Sequence, residues 1–139
     1  MTKITKLKTG SKLEEHASYS RAVAAGDWIF VSNTADRNPD TKEIPEDLRE
    51  QTLQVFDNIE RALKALGSSL EDGVMSRVFI QNPEDRHTVM GIVGEKFRGV
   101  DPATTGTCPP LGSDIYKVEL EVTAFRGAGK AETERLTLS

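Results

Sequence analysis

Residues 115–127, IYKVELEVTAFRG, alternate in character: Val118, Leu120 and Val122 point one way, and Lys117, Glu119, Glu121 and Thr123 the other. A strand with one apolar face has to lay that face on a second layer. The chain must therefore build a sheet covered on at least one side. Two segments carry the pattern of a cover. In LREQTLQVFDNIERALKALG, residues 48–67, the apolar residues Val55, Phe56, Ile59, Ala62, Leu63 and Leu66 recur at offsets of three and four, which places them on one helical face. Gly67 supplies the stop. A second helix is predicted from Asn82-Pro83-Glu84-Asp85, with Val89, Ile92, Val93 and Phe97 as its stripe and Gly99 as its end. Gly91 and Gly94 weaken that helix by about 1 kcal/mol each relative to alanine.

The remaining strands follow from turn chemistry. YSRAVAAGDWIFVSNT, residues 19–34, is an alternating segment, a Gly26-Asp27 turn and an apolar run, hence a hairpin. GVMSRVFIQ, residues 73–81, is short, β-branched and aromatic, and PATTGTCPP, residues 102–110, is a strand closed by two prolines. The resulting order is β-β-α-β-α-β-β, an α+β mixed sheet with two helices on one face. Its other face needs cover as well, so the architecture predicts an oligomer. At 139 residues the chain is expected to form one domain, with its core at about 17–126. The polar tail, 127–139, is expected to be loose or swapped onto a neighbour.

Composition narrows the function. A net charge of −4 argues against a protein whose main partner is a phosphate backbone; Lys3, Lys6, Lys8 and Lys12 read as a solvated edge. No apolar run reaches the roughly 20 residues of a membrane helix, and no signal-peptide pattern opens the chain, so a cytoplasmic location is expected. A single cysteine, Cys108, cannot close an internal disulfide, and His16 and His87 lack companions at metal-ligand spacing. No metal and no organic cofactor is expected.

The order YSRAVAAGDWIFVSN, QTLQVFDNIERALKALG, DPATT and YKVELEVTAFR resembles the Rid (reactive intermediate deaminase, YjgF-like) family, also called L-PSP endoribonucleases, over residues 17–126. The resemblance implies a chorismate-mutase-like fold, a homotrimer around a central barrel of sheets, and a small-molecule cleft between subunits. It also implies hydrolysis of enamine or imine intermediates to keto compounds and ammonia by an activated water. Tyr19 would be the cleft tyrosine and Glu119 the carboxylate that positions the water; a solvated strand face is the plainer reading of Glu119.

The chain departs from that pattern where the family's carboxylate-clamping arginine follows a Pro-Ala pair. Thr104 stands there, and a hydroxyl does not replace a bidentate guanidinium. Gly106 stands in place of the family's cysteine, and Ser32-Asn33 in place of a Ser-Gly pair. Alternation puts Thr104, Gly106 and Cys108 on one side of their strand, with Thr105 and Thr107 on the other. Cys108 reads as a small buried thiol rather than a nucleophile. Arg21, two residues from Tyr19, either supplies the lost anion contact or pairs with a carboxylate on a neighbouring strand. Three functions stay open: an imine deaminase, a non-catalytic metabolite-binding protein, and an RNase or holdase.

Overall fold

The alternating C-terminal strand lies near the middle of the sheet, with partners on both sides. The computed structural model describes residues 2–139 as an α+β fold. Its elements are β1 (Ile4–Leu7), α1 (Lys12–Ala17), β2 (Ala22–Ala25), β3 (Trp28–Thr34), α2 (Leu48–Ala65), β4 (Gly73–Ile80), α3 (Arg86–Lys96), β5 (Ala103–Thr107) and β6 (Val118–Phe125). The six strands form one sheet in the order β1-β2-β3-β6-β4-β5, antiparallel throughout except for the parallel pair β4–β5. No helix among the described residues is long and apolar enough to cross a membrane.

Register assigns the two faces. Val118, Leu120, Val122 and Ala124 are buried, as are their cross-strand partners Ser76, Val78, Ile80, Ile29 and Val31, and this face meets the helices. Helix α2 packs on β3 and β6, and α3 packs beside α2. Phe56 and Phe97 join the two helices edge to face, with ring centroids 5.4 Å apart. The ends of α2 are well specified. Asp47 accepts a hydrogen bond from the Glu50 amide at 3.0 Å, and past Leu66 the amides of Gly67 and Ser68 return to the carbonyls of Lys64 and Leu63. Gly67 takes φ +74°, the left-handed conformation that this termination requires.

Neither α2 nor α3 covers the opposite face. Ile4, Trp28, Phe30, Met75 and Phe125 lie on it, between 36% and 52% exposed. Trp28 and Phe125 stack edge to face at 4.9 Å.

Three sequence expectations change. The order β-β-α-β-α-β-β lacked β1 and α1, because a four-residue strand, ITKL, and a six-residue helix are too short to show a period. Asn82 does not cap α3: residues 83–85 form a 3₁₀ turn and Asp85 stands at the helix start, with no side-chain cap at either place. The tail is tied to its own chain, since Arg135 bonds Asp101 at 2.6 Å and the Gly99 carbonyl at 3.0 Å, although Leu136 and Leu138 stay exposed. The α2–α3 seam yields a stability test. Phe56→Ala should cost about 3–5 kcal/mol in urea unfolding, whereas Leu136→Ala, at an exposed position, should leave the midpoint unchanged.

Candidate functional site

A bulge in β3 builds the site. Between the pairs Val31–Val122 and Thr34–Leu120, β3 advances three residues while β6 advances two. The extra residue lets the Asn33 side chain meet β6, where its Nδ2 donates to Glu119 Oε1 at 2.5 Å. Arg21 Nη2 donates to the Asn33 carbonyl at 2.8 Å, and its guanidinium lies 5.8 Å from the Tyr19 ring centroid. Ser32 Oγ donates to the Ser20 carbonyl at 2.7 Å, which ties the bulge to the start of β2. Tyr19, Arg21, Ser32, Asn33 and Glu119 are thus brought together.

Burial raises the Glu119 pKa above the ordinary carboxylate value, against the opposing pull of the Asn33 hydrogen bond and the Arg21 charge. Glu14, which also feels the Arg21 charge, behaves oppositely. Burial opposes its ionisation too, but donors from Thr9 and Gly10, aided by Arg21, outweigh burial and hold its pKa low. Arg21 makes no ion pair with either carboxylate, which answers the expectation of a salt bridge to a neighbouring strand. Its Nε is buried without a hydrogen-bond partner.

The second group of predicted residues lies elsewhere. Thr104 pairs with Ser76, and its hydroxyl is engaged by Ser76 Oγ at 2.8 Å and the Pro102 carbonyl at 3.0 Å. Gly106 faces α3, where a Cβ would stand 3.5 Å from Met90 Sδ, and Cys108 packs half-buried against the core as a free thiol. Thr104, Gly106 and Cys108 therefore share the helix-side face, as alternation predicts, whereas Glu119 lies on the open face. Thr105 is on the open face, across from Arg77, which pairs with Glu121 at 3.0 Å. Strand β4 separates the two groups: Glu119 is level with Phe79 and Thr107, and Thr104 with Ser76 and Val122. That offset amounts to about 10 Å across the sheet and about 10 Å along it. One protomer does not unite them in a single pocket.

Sequence reading missed Asp36. Its side chain is fully buried, and neither carboxylate oxygen has a hydrogen-bond partner. Desolvation pushes its pKa up to about 7; Glu119 adds to this, while its own backbone amide, Arg37 and Lys117 oppose it. Asp36 sits in an Asp-Arg-Asn-Pro-Asp stretch that carries every mark of an exposed loop, so nothing local signals its burial. The exposed His16 and His87 take no part in this site.

Residues 9–126 match the family model described as Endoribonuclease L-PSP. The chain is similar to a RutC family protein of Pyrococcus horikoshii, with 31% identity over 110 residues, 78% of this chain and 86% of that protein. Its fold is similar to Rv2704 of Mycobacterium tuberculosis, described as a member of the YjgF/YER057c/UK114 family, with TM-score 0.80 and 27% identity over 88% of this chain and 99% of that one. It is also similar to Escherichia coli TdcF, solved with bound serine, with TM-score 0.73 and 26% identity over 78% of this chain and 87% of that one.

The buried Asp36 sets a pH dependence. Its folded pKa of about 7 lies above the ordinary 3.8, so between those values the folded state binds the extra proton and stability falls as pH rises, levelling off above 7. The unfolding free energy should drop by about 3 kcal/mol between pH 5 and pH 8. Asp36→Asn should remove most of that slope and be the more stable protein at pH 8; Glu119, shifted the same way, accounts for a smaller residual slope.

Proposed function

The chain belongs to the Endoribonuclease L-PSP family, known also as YjgF or Rid, and from that premise we propose that it hydrolyses a small imine or enamine at the Glu119–Asn33–Arg21 cluster. The observation that carries this reading is the hydrogen bond from Asn33 to a half-buried carboxylate of raised pKa, beside an arginine that makes no ion pair among the described residues. A carboxylate whose pKa is raised toward neutrality is a stronger base for water than an ordinary one. Asn33 occupies one oxygen and orients the group; the other oxygen is left for the water.

In the proposed step, water adds to the C=N carbon, Glu119 takes the water's proton, and the nitrogen is protonated. The carbinolamine then collapses: the C–N bond breaks, ammonia leaves with its electron pair, and the carbonyl forms. The balance is R₂C=NH + H₂O → R₂C=O + NH₃. An enamine enters the same sequence after protonation at its β-carbon.

Anion recognition falls to Arg21. The Thr104 hydroxyl is engaged by Ser76 and Pro102 and faces the helix layer, so it makes a poor clamp. Arg21 lies beside Tyr19 and within the field of Glu119, with an unpartnered Nε. The relative TdcF was solved with an amino acid, serine, bound, which supports a carboxylate-bearing small molecule here. The apolar open face supports assembly as a homotrimer, in which the β5 residues of a neighbouring protomer complete the cleft. The net charge of −4 disfavours an RNase.

One observation favours a non-catalytic metabolite-binding protein instead: Asn33, which stands where the family resemblance implies a glycine, already holds Glu119. A coupled assay separates the two. With 2-iminobutanoate generated in situ by a dehydratase, the wild type should accelerate decay, Glu119→Gln should lose at least about 100-fold, and Thr104→Arg should gain on carboxylate-bearing imines. No acceleration, together with saturable binding of serine, would select the binding protein. Gel filtration should give three times the chain mass of 15.3 kDa, and Phe30→Glu should shift it to the monomer.

A further inference from the structure

The sheet is wider than its helical cover. Six strands spaced about 4.8 Å span close to 30 Å, whereas two helices packed about 10 Å apart cover about 20 Å. Helix α2 lies over β3 and β6 with α3 on its far side, so no long helix covers the helix-side face of β1 and β2. That space is a cleft of about 560 Å³, within the size range of small-molecule sites. Leu7 contributes to one side and Asn58, Arg61, Ala62 and Ala65 of α2 to the other, with the 9–11 turn and the 34–42 loop around the rim.

The charge of the cleft is opposite to that of the molecule. Arg21, Arg37, Lys42 and Arg61 line it and no Asp or Glu does, in a chain with 22 acidic residues against 18 lysines and arginines. Arg61 is paired with Asp57 at 3.1 Å and Asp40 at 3.4 Å, but each of these side chains is more than half exposed and such pairs hold weakly. Among the described residues, Arg21, Arg37 and Lys42 have no carboxylate within ion-pair distance.

The walls are also held in place. Asn58 Nδ2 donates to the carbonyls of Ala35 and Arg37, both at 3.0 Å, and pins the loop to α2. Arg37 Nη1 donates to the Lys42 carbonyl at 2.6 Å, and the Lys42 amide returns to the Asn38 carbonyl at 2.9 Å. Lys42 itself is fixed at φ +66°, a conformation costly for a non-glycine residue. A preformed cleft binds without the cost of ordering its loops.

We propose that this cleft is a second ligand site, sharing only Arg21 with the Glu119 cluster, that takes a small organic anion: a short carbon body bearing carboxylate or phosphate groups. Guanidinium groups grip either head group in bidentate fashion, and the small side chains of Ala62 and Ala65, with Leu7, leave room for a compact carbon body. The assignment does not depend on the imine-hydrolase reading.

The test is a set of amide chemical-shift titrations of the assembled protein with citrate, glycerol 3-phosphate and inorganic phosphate. Citrate, glycerol 3-phosphate or both should give saturable shifts confined to residues 7–11, 34–42 and 58–65. Relative response to the two organic anions identifies the preferred head group, and inorganic phosphate should bind more weakly than the ester. The Arg37→Ala/Arg61→Ala double variant should weaken binding at least about tenfold, as should roughly 0.5 M salt, with imine hydrolysis unchanged. If the double variant melts early, Arg37→Gln alone serves, with a loss of about threefold or more. Linear, unsaturated shifts with all three anions, shifts mapping outside these segments, or undiminished affinity in the variants would overturn the assignment.

Discussion

Burial of one face of β6 against α2 is the constraint on which the rest of the structure depends. Val118, Leu120, Val122 and Ala124 are at most 2% exposed, and they pack in one core with Val55, Phe56, Ile59 and Leu63 of the helix. Because side chains alternate along a strand, fixing those four residues inward fixes Glu119, Glu121 and Thr123 outward. Strands β3 and β4 take their register from β6 and extend the same division across the sheet. The position of the candidate carboxylate is thus a by-product of core formation.

The bulge in β3 breaks that regularity at one place and makes the site. Without the extra residue, Asn33 would follow the pleat; with it, the side chain reaches β6 and bonds Glu119. Electrostatics then separates two carboxylates near one arginine. Glu14 receives donors from Thr9 and Gly10 and stays strongly acidic, whereas Glu119 receives one donor from Asn33 and is pushed toward the neutral form. Opposite environments leave Glu119 the better proton acceptor of the two.

Much of the fold was legible because it rests on periodicity. The β6 alternation, the α2 stripe and the Gly26 and Gly67 turns are local patterns, and each predicted element of that kind is present. β1 and α1 were not legible, since four and six residues are shorter than the repeat needed to reveal a period. In the site, the resemblance pointed to Tyr19, Ser32, Asn33 and Glu119, and strand alternation from Tyr19 pointed to Arg21; these converge, whereas the predicted Thr104, Thr105, Gly106 and Cys108 lie apart from them in the protomer. Asp36 was invisible, because a polar loop composition gives no indication that the loop folds under its neighbours.

By itself the sequence determined which faces of the strands and helices are apolar, and hence that a sheet is covered by two helices on one side. It also determined that Thr104 is not an arginine. Tertiary structure alone decided that Thr104 and Glu119 lie on opposite faces, that Asn33 holds Glu119, and that four cations gather in one cleft. The reason is physical. Periodicity is carried by neighbours along the chain, whereas register across β4, a one-residue bulge and the width of a sheet relative to its helices arise only when distant segments pack.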